Sequence, residues 1–186
     1  MSNGYDKYRE AQIEDGRLYQ DFVVDVAWSA GLAICQYASK AYQFGVGESR
    51  GGVEIKHDKK YCETGNLCME VAEKAKPRPG PYVRSGVMKP DHWLFAIGDY
   101  DTVFFFCSNI LRAMYLSNRY RTYETPTSQG FLLPDEDSQK YSALILRPNA
   151  SGTVSQLVTD VASLAKELHK VAKANPKQMS LLFMQE

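Results

Sequence analysis

The 186-residue chain lacks any apolar run of the ~20 residues that a membrane-spanning helix needs. Its opening stretch, MSNGYDKYREAQIEDGR, has no apolar segment of the kind that marks a secretory signal. An excess of one charge is missing too: 22 Lys and Arg stand against 22 Asp and Glu, a formal net charge of zero. That argues against a protein that coats nucleic acid through bulk charge, and leaves room for an enzyme with a local basic groove. Cysteine is scarce. Cys35, Cys62, Cys68 and Cys107 form no close CxxC pair, and His57, His92 and His169 stand at no zinc-ligand spacing to a cysteine pair. The expectation is a cytoplasmic protein with reduced, mostly buried thiols. There is no internal repeat, no low-complexity tract, no GxxxxGK[ST] and no strand-to-helix GxGxxG. Gly45, Gly47, Gly51 and Gly52 suit a tight hairpin better than a phosphate-cradling loop.

What is present is a core-forming composition, 44% hydrophobic and 12% aromatic, in a length that suits one domain over 1–186. The pattern predicts a polar arm at 1–15, a core over 18–107 and a helical C-terminal part over 108–186. Leu18, Phe22, Val26, Ser29/Ala30, Ala33 and Tyr37 recur at helical spacing and predict a helix over 18–42, interrupted at Gly31. Strands are expected at 42–48, 53–58 and 67–74, the first two separated by the turn signal Ser49-Arg50-Gly51-Gly52. KPRPGP at 76–81 breaks regular structure. A hairpin is expected over 92–107, turning at Gly98-Asp99-Tyr100-Asp101, with Phe95 and Phe104–Phe106 in the core and Trp93 with them. A helix at 109–118, a loop-rich stretch at 119–135, a short strand at 142–146 and an amphipathic helix at 153–174 complete the reading. SLLFMQE at the end suits a docking segment or a partner contact. The order is α/β with a mixed sheet.

The charged chemistry concentrates in 53–74. Alternate strand residues share a face, so Val53, Ile55 and His57 point one way and Glu54, Lys56 and Asp58 the other. His57 thus falls on the apolar face, as a core histidine would. On the next strand Leu67, Met69, Val71 and Glu73 share one face and Cys68, Glu70, Ala72 and Lys74 the other. An antiparallel pair with Asp58 opposite Glu70 sets Lys56 opposite Ala72 and Glu54 opposite Lys74. The two carboxylates then converge in a way a cation would satisfy, with Lys56 beside them to orient water. A register with Asp58 opposite Asn66 would instead hold Asp58 and Glu70 roughly 13 Å apart. Charges alternating with apolar residues can equally be a solvated sheet face.

The run GESRGGVEIKHDKKYCETGNLCMEVAEK, 47–74, resembles the PD-(D/E)xK nuclease superfamily, the restriction-endonuclease-like fold, and in particular small phage and bacterial proteins with that core. The resemblance covers roughly 14–75. It implies a leading helix followed by a three-stranded meander in a mixed sheet, flanked by further helices. It also implies divalent-metal-dependent DNA endonuclease activity, resolvase-like or encoded by a phage or mobile element, with Mg²⁺ or Mn²⁺ as cofactor. Asp58 and Glu70 would ligate the metal, Lys56 would act at the water, and Glu54 and Lys74 would support or join the site. The family lysine would fall at position 72, which is alanine. A second alignment takes Glu54-Ile55-Lys56 as the E-x-K, with Glu48 in the aspartate role. Glu14, Asp21 or Asp25 would supply a helix acid. Lys59, Lys60, Arg78 and Arg84 would track the DNA backbone, with Lys74, Lys76, Lys89, Tyr61, Tyr82 and RYRTY at 119–123 as further basic or aromatic candidates. DNA is the expected partner rather than RNA or a membrane, and a homodimer would present two sites to two strands. The rival expectations are a catalytically inactive nuclease-fold accessory protein that binds nucleic acid or a host protein, and an unrelated fold with an ordinary charged surface.

Overall fold

Residues 94–98 (LFAIG) and 103–107 (VFFFC) are almost wholly apolar, which is what strands covered on both faces require. In the computed structural model, which describes residues 3–32, 34, 52–74, 80–148 and 154–158, they are β4 (Leu94–Gly98) and β5 (Val103–Cys107), an antiparallel hairpin at the centre of a five-stranded sheet. The turn is dictated locally. Gly98 has φ +152°, and a Cβ there would lie 2.0 Å from the Thr102 carbonyl oxygen. Asp99 Oδ1 accepts the N–H groups of Asp101 and Thr102, both at 2.9 Å.

β1 (Val53–His57) lies parallel to β4, with Ile55 opposite Ala96. On the other side of β5 come β8 (Leu144–Pro148) and β9 (Val154–Val158), both antiparallel, giving the order β1-β4-β5-β8-β9. A second, four-stranded sheet has the order β3-β2-β7-β6, all antiparallel, from β2 (Asn66–Glu73), β3 (Val83–Arg84), β6 (Thr122–Glu124) and β7 (Ser128–Pro134). The described helices are α1 (Asn3–Ser29), the single-turn α2 (Tyr61–Thr64), α3 (Ser108–Leu116) and α4 (Asp135–Tyr141), and a 3₁₀ turn spans Gly86–Met88. The class is α/β with a mixed sheet. No helix among the described residues is long and apolar enough to cross a membrane.

Strand alternation sorts the side chains into two cores. Val53, Ile55, Leu94, Ala96, Val103, Phe105 and Leu146 face α1, which meets them with Tyr19, Val23, Val26 and Ala27. The spacing 19, 23, 26, 27 is one helical stripe. Phe95, Ile97, Phe104, Phe106 and Ile145 face the other way, against Leu67, Met69, Val71, Phe131 and Leu133 of the second sheet and Ile110, Leu111 and Met114 of α3. The five-stranded sheet is therefore the middle layer.

Several expectations are corrected. β1 and β2 are not neighbours in one meander; they belong to different sheets. The 1–15 arm is helical from Asn3, and α1 ends at Ser29 rather than near 42, because Gly31 (φ +80°) closes it: Leu32 N–H bonds the Ala27 carbonyl and Gly31 N–H that of Trp28. The buried stripe is Tyr19, Val23, Val26 and Ala27, while Leu18 is exposed. The 119–135 stretch carries β6 and β7, and 154–158 is a strand, so the C-terminal part is not chiefly helical in its described portion. The expected strand at 42–48, the helix beyond 158 and the terminal SLLFMQE lie outside the described residues. Cys62 is exposed, and Cys68 and Cys107 are half-buried. Trp93 is 62% exposed, outside the core in which Phe95 and Phe104–Phe106 are buried.

Phe104→Ala should cost about 3–5 kcal/mol, the usual range for a fully buried phenylalanine, whereas Trp93→Ala should cost below about 1 kcal/mol, as for surface changes. Urea unfolding of the two variants measures both, and equal losses would contradict the layer assignment.

Candidate functional site

β1 runs along one side of the five-stranded sheet and turns a charged face away from α1. Glu54 sits on that face, 2% exposed, and Lys56, two residues on, reaches it with Nζ 2.9 Å from Oε1. Burial pushes the Glu54 carboxyl up, but Lys56, Lys89 and His92 outweigh that and hold it below the usual glutamate range. The lysine head remains partly in solvent, with 36% of its side chain exposed. A buried, ionised carboxylate and a solvent-reaching ammonium thus share one strand face.

Glu70 lies on the outer face of β2, where the register shifts between Glu70 and Ala72. Such a bulge re-aims side chains locally. Ser85 Oγ donates to Glu70 Oε1 at 2.7 Å and Ser128 Oγ to Oε2 at 3.0 Å. Two glycines let neighbouring backbone close on this strand. A Cβ on Gly86 (φ +47°) would lie 2.5 Å from the Glu70 carbonyl oxygen, and one on Gly130 would lie 2.1 Å from that of Met69.

Asp58 does something else. Its Oδ1 accepts Lys60 N–H at 3.1 Å and its Oδ2 accepts Cys68 N–H at 2.7 Å. It therefore ties the end of β1 to the start of β2. Burial, and then the adjacent Asp58 charge, push the Cys68 thiol up to about 11. Tyr123 is pushed up to about 12, by burial first and then by Cys68, Glu70 and Asp58, against a bond from Ser128 that lowers it.

One segment, 85–92, bears on both glutamates, by contact on Glu70 and by charge on Glu54. Ser85 binds Glu70, while Lys89 and His92 act on Glu54. Arg112 of α3 pins this segment by donating to the carbonyls of Val87 (3.0 Å), Lys89 and His92 (3.2 Å). His92 is buried. Its Nε2 faces the Gly86 carbonyl at 2.9 Å, so that nitrogen carries the proton, and its Nδ1 accepts from Ser108 Oγ at 2.6 Å.

The structure departs from the expected arrangement at several points. Asp58 does not face Glu70 across paired strands. Glu70 stands opposite Gly130, and Asp58 reaches Cys68, two residues short of it. Ala72 pairs with Arg84 and Gln129, and Lys56 stands opposite Ile97, because β1 takes β4 as its partner. Lys74, expected opposite Glu54, lies instead 4.0 Å from the Tyr82 ring centroid, and Lys56, expected beside Asp58 and Glu70, pairs with Glu54. Glu14 pairs with Arg17 at 3.5 Å, Asp21 and Asp25 are exposed, and the helix acid that meets β1 is Asp15, which the spacing did not single out. Lys59, Lys60 and Arg84 are exposed, and Lys59 binds Asp15 at 3.0 Å. Arg78, Lys76 and Glu48 lie outside the described residues. His57 is on the α1 side, stacked on Tyr19 with centroids 4.3 Å apart and bonded through Nδ1 to Asp15 Oδ2 at 2.9 Å. Sequence reasoning missed Ser85, His92, Ser108 and Ser128; only the chain's folding brings them to the acids.

Burial, the largest influence on His92, lowers its pKa, and the Gly86 carbonyl and Glu54 offset this only in part. The unfolded chain takes up this proton near pH 6.5 and the folded one at lower pH. The stabilisation is therefore complete above ~6.5 and lost as pH falls through the folded pKa. Thermal melting between pH 7 and about pH 5 should show a steeper loss for the native chain than for His92→Gln; parallel curves would assign the slope elsewhere.

Among the described residues, no group of three or more His, Cys, Asp and Glu is placed to hold a metal ion. Compared with protein-family models, curated proteins and solved structures, the chain matches none of them.

Proposed function

We propose that the protein is a divalent-metal-dependent DNA endonuclease of the restriction-endonuclease-like kind, with Glu54 and Lys56 at its centre. The observation that carries this reading is the buried Glu54 carboxylate beside Lys56 on one face of β1, an intact E-x-K. This favours the second alignment over the one built on Asp58 and Glu70.

Mg²⁺ is commonly held by one or two carboxylates together with water and substrate phosphate. Glu54 suits that role, being ionised and next to a solvent-reaching lysine. Glu70, held by two serine hydroxyls, is the second carboxylate of this reading; Ser85 on Glu70 and the influence of Lys89 and His92 on Glu54 relate the two through the 85–92 segment. Asp58 is committed differently: backbone N–H groups on both of its oxygens tie β1 to β2, whereas the donors to Glu70 are serine hydroxyls, which can rotate. Mg²⁺ or Mn²⁺, when bound, activates a water and neutralises charge on the scissile phosphate. Lys56 would contribute its ammonium, placed to orient an attacking water or to steady the charge that grows on the phosphate. His92, bonded to Gly86 and to Ser108, holds the 85–92 segment in place, and burial favours its neutral form.

A second reading is favoured by Ala72 and by Asp58, whose two oxygens are each given to a backbone N–H: a nuclease-fold accessory protein that binds nucleic acid or a host protein without cutting. Incubation with linear, nicked and branched DNA in Mg²⁺ and in Mn²⁺ separates the two. Cleavage is expected, falling at least ~100-fold in Glu54→Gln and in Lys56→Ala, with thermal melting checking that each variant folds, since Lys56→Ala leaves a buried carboxylate without its partner. Binding without cleavage would establish the accessory role, and neither binding nor cleavage would overturn both.

A further inference from the structure

Between α1 and β1 there is an open cleft of about 310 Å³, lined by Gln12, Asp15, Gln20, Lys56, His57 and Lys59 among others. That is at the lower end of the roughly 300–1,000 Å³ of small-molecule sites, room for a nucleotide unit rather than a water. Two donors converge in it on a single point. His57 Nδ1 at 2.9 Å and Lys59 Nζ at 3.0 Å both reach the same oxygen, Asp15 Oδ2. His57 is held rigidly for this, stacked on the buried Tyr19 and met edge-on by Tyr100, with centroids 5.1 Å apart. The Asp15 and Lys59 side chains are 31% and 46% exposed, so both can move aside. Lys56 borders the cleft while its ammonium pairs with Glu54 on the other face of β1, an edge strand among those described, so the cleft and the proposed catalytic centre lie on either side of that edge.

We propose that this cleft is a subsite for a nucleic-acid backbone phosphate, with Lys59 and His57 as its donors and Asp15 as a built-in occupant that the phosphate displaces. The proposal rests on the endonuclease reading for the kind of ligand, and it deepens that reading by giving the bound strand a path past Lys56. An oxygen shared by an ammonium and an imidazole N–H is the arrangement a phosphate oxygen takes between the same two groups. Asp15 occupies that position as an anion. Burial raises its carboxyl, but Lys59 and His57 prevail and hold it below the usual aspartate range. A resident carboxylate keeps the donors oriented in the empty protein and sets a threshold that only a competing anion with several contacts passes. The cleft so described selects extended polyanions over single ions.

The test is binding of a fluorescent DNA duplex to the full chain, followed by anisotropy in EDTA so that cleavage does not interfere, across a salt titration. Asp15→Asn should tighten binding roughly five-fold, and Lys59→Gln should weaken it by a similar factor and reduce the slope of log K against log salt by about 0.9, one phosphate contact. Thermal melting of each variant checks folding, and Lys59→Gln, at an exposed side chain, keeps the test decisive if Asp15→Asn melts early. Unchanged or weaker binding in a folded Asp15→Asn, or an unchanged salt slope in Lys59→Gln, would overturn the proposal. So would a response of Asp15→Asn to inorganic phosphate alone with DNA affinity unaltered, since the site would then serve small phosphates. If the binding changes appear as expected while no metal supports cleavage, the subsite stands and the nuclease reading falls. Cleavage without the binding changes would remove the subsite and leave the nuclease reading standing.

Discussion

The chain leaves the five-stranded sheet at His57 and enters the four-stranded one at Asn66, and a single carboxylate ties the two ends of that passage. Asp58 accepts Lys60 N–H on one oxygen and Cys68 N–H on the other, while its own N–H donates to Gly98 O at 2.7 Å. It joins β1, the β4–β5 turn and β2 at one point. The position of Glu54 and Lys56 relative to Glu70, and of His57 relative to α1, both follow from how the chain is turned there. A carboxylate bonded to two backbone donors needs no cation to be comfortable when buried.

The second determinant is the 85–92 segment. Lacking regular strand structure beyond the 3₁₀ turn, it is held from outside by the Arg112 guanidinium and from within by the Ser108–His92–Gly86 relay. A buried polar network of this type fixes a loop as firmly as a core fixes a strand, provided each member is satisfied. Here it brings Ser85 to one glutamate and the electrostatic influence of Lys89 and His92 to the other.

Much of the local structure was legible. The alternation in 53–58 and 67–74 gave the correct faces, and Gly98-Asp99 marked the hairpin, because these signals depend only on neighbouring residues. Partner choice did not follow. Alternation says which side of β1 is apolar, not that β4, forty residues on, lies beside it in parallel, and so the Asp58–Glu70 register failed with the meander. β7 was hidden because SQGFLLP contains a glycine and ends in proline, yet Gly130 is there to let Met69 O and Tyr123 approach. Val154, Leu157 and Val158 fit a helical spacing and a strand equally well, and pairing with β8 decided for the strand. In the candidate site, Glu54 and Lys56 were readable because they sit two apart on one strand. Asp15, Ser85, His92 and Ser128 were not, since each reaches its partner across a stretch of chain that no local pattern spans.

The placement of the aromatic residues also bears on how the molecule can be observed. Both tryptophans of the chain, Trp28 and Trp93, stand more than half exposed, at 60% and 62%, while the phenylalanines of β4 and β5 are sealed inside. Indole emission from the native state is therefore already that of a wet chromophore, and it will change little in colour as the layers come apart. Trp28 is the more informative of the pair, because its ring N–H donates to Ile34 O at 2.9 Å just past the end of α1. Its signal reports the fastening of that helix end rather than the melting of the interior.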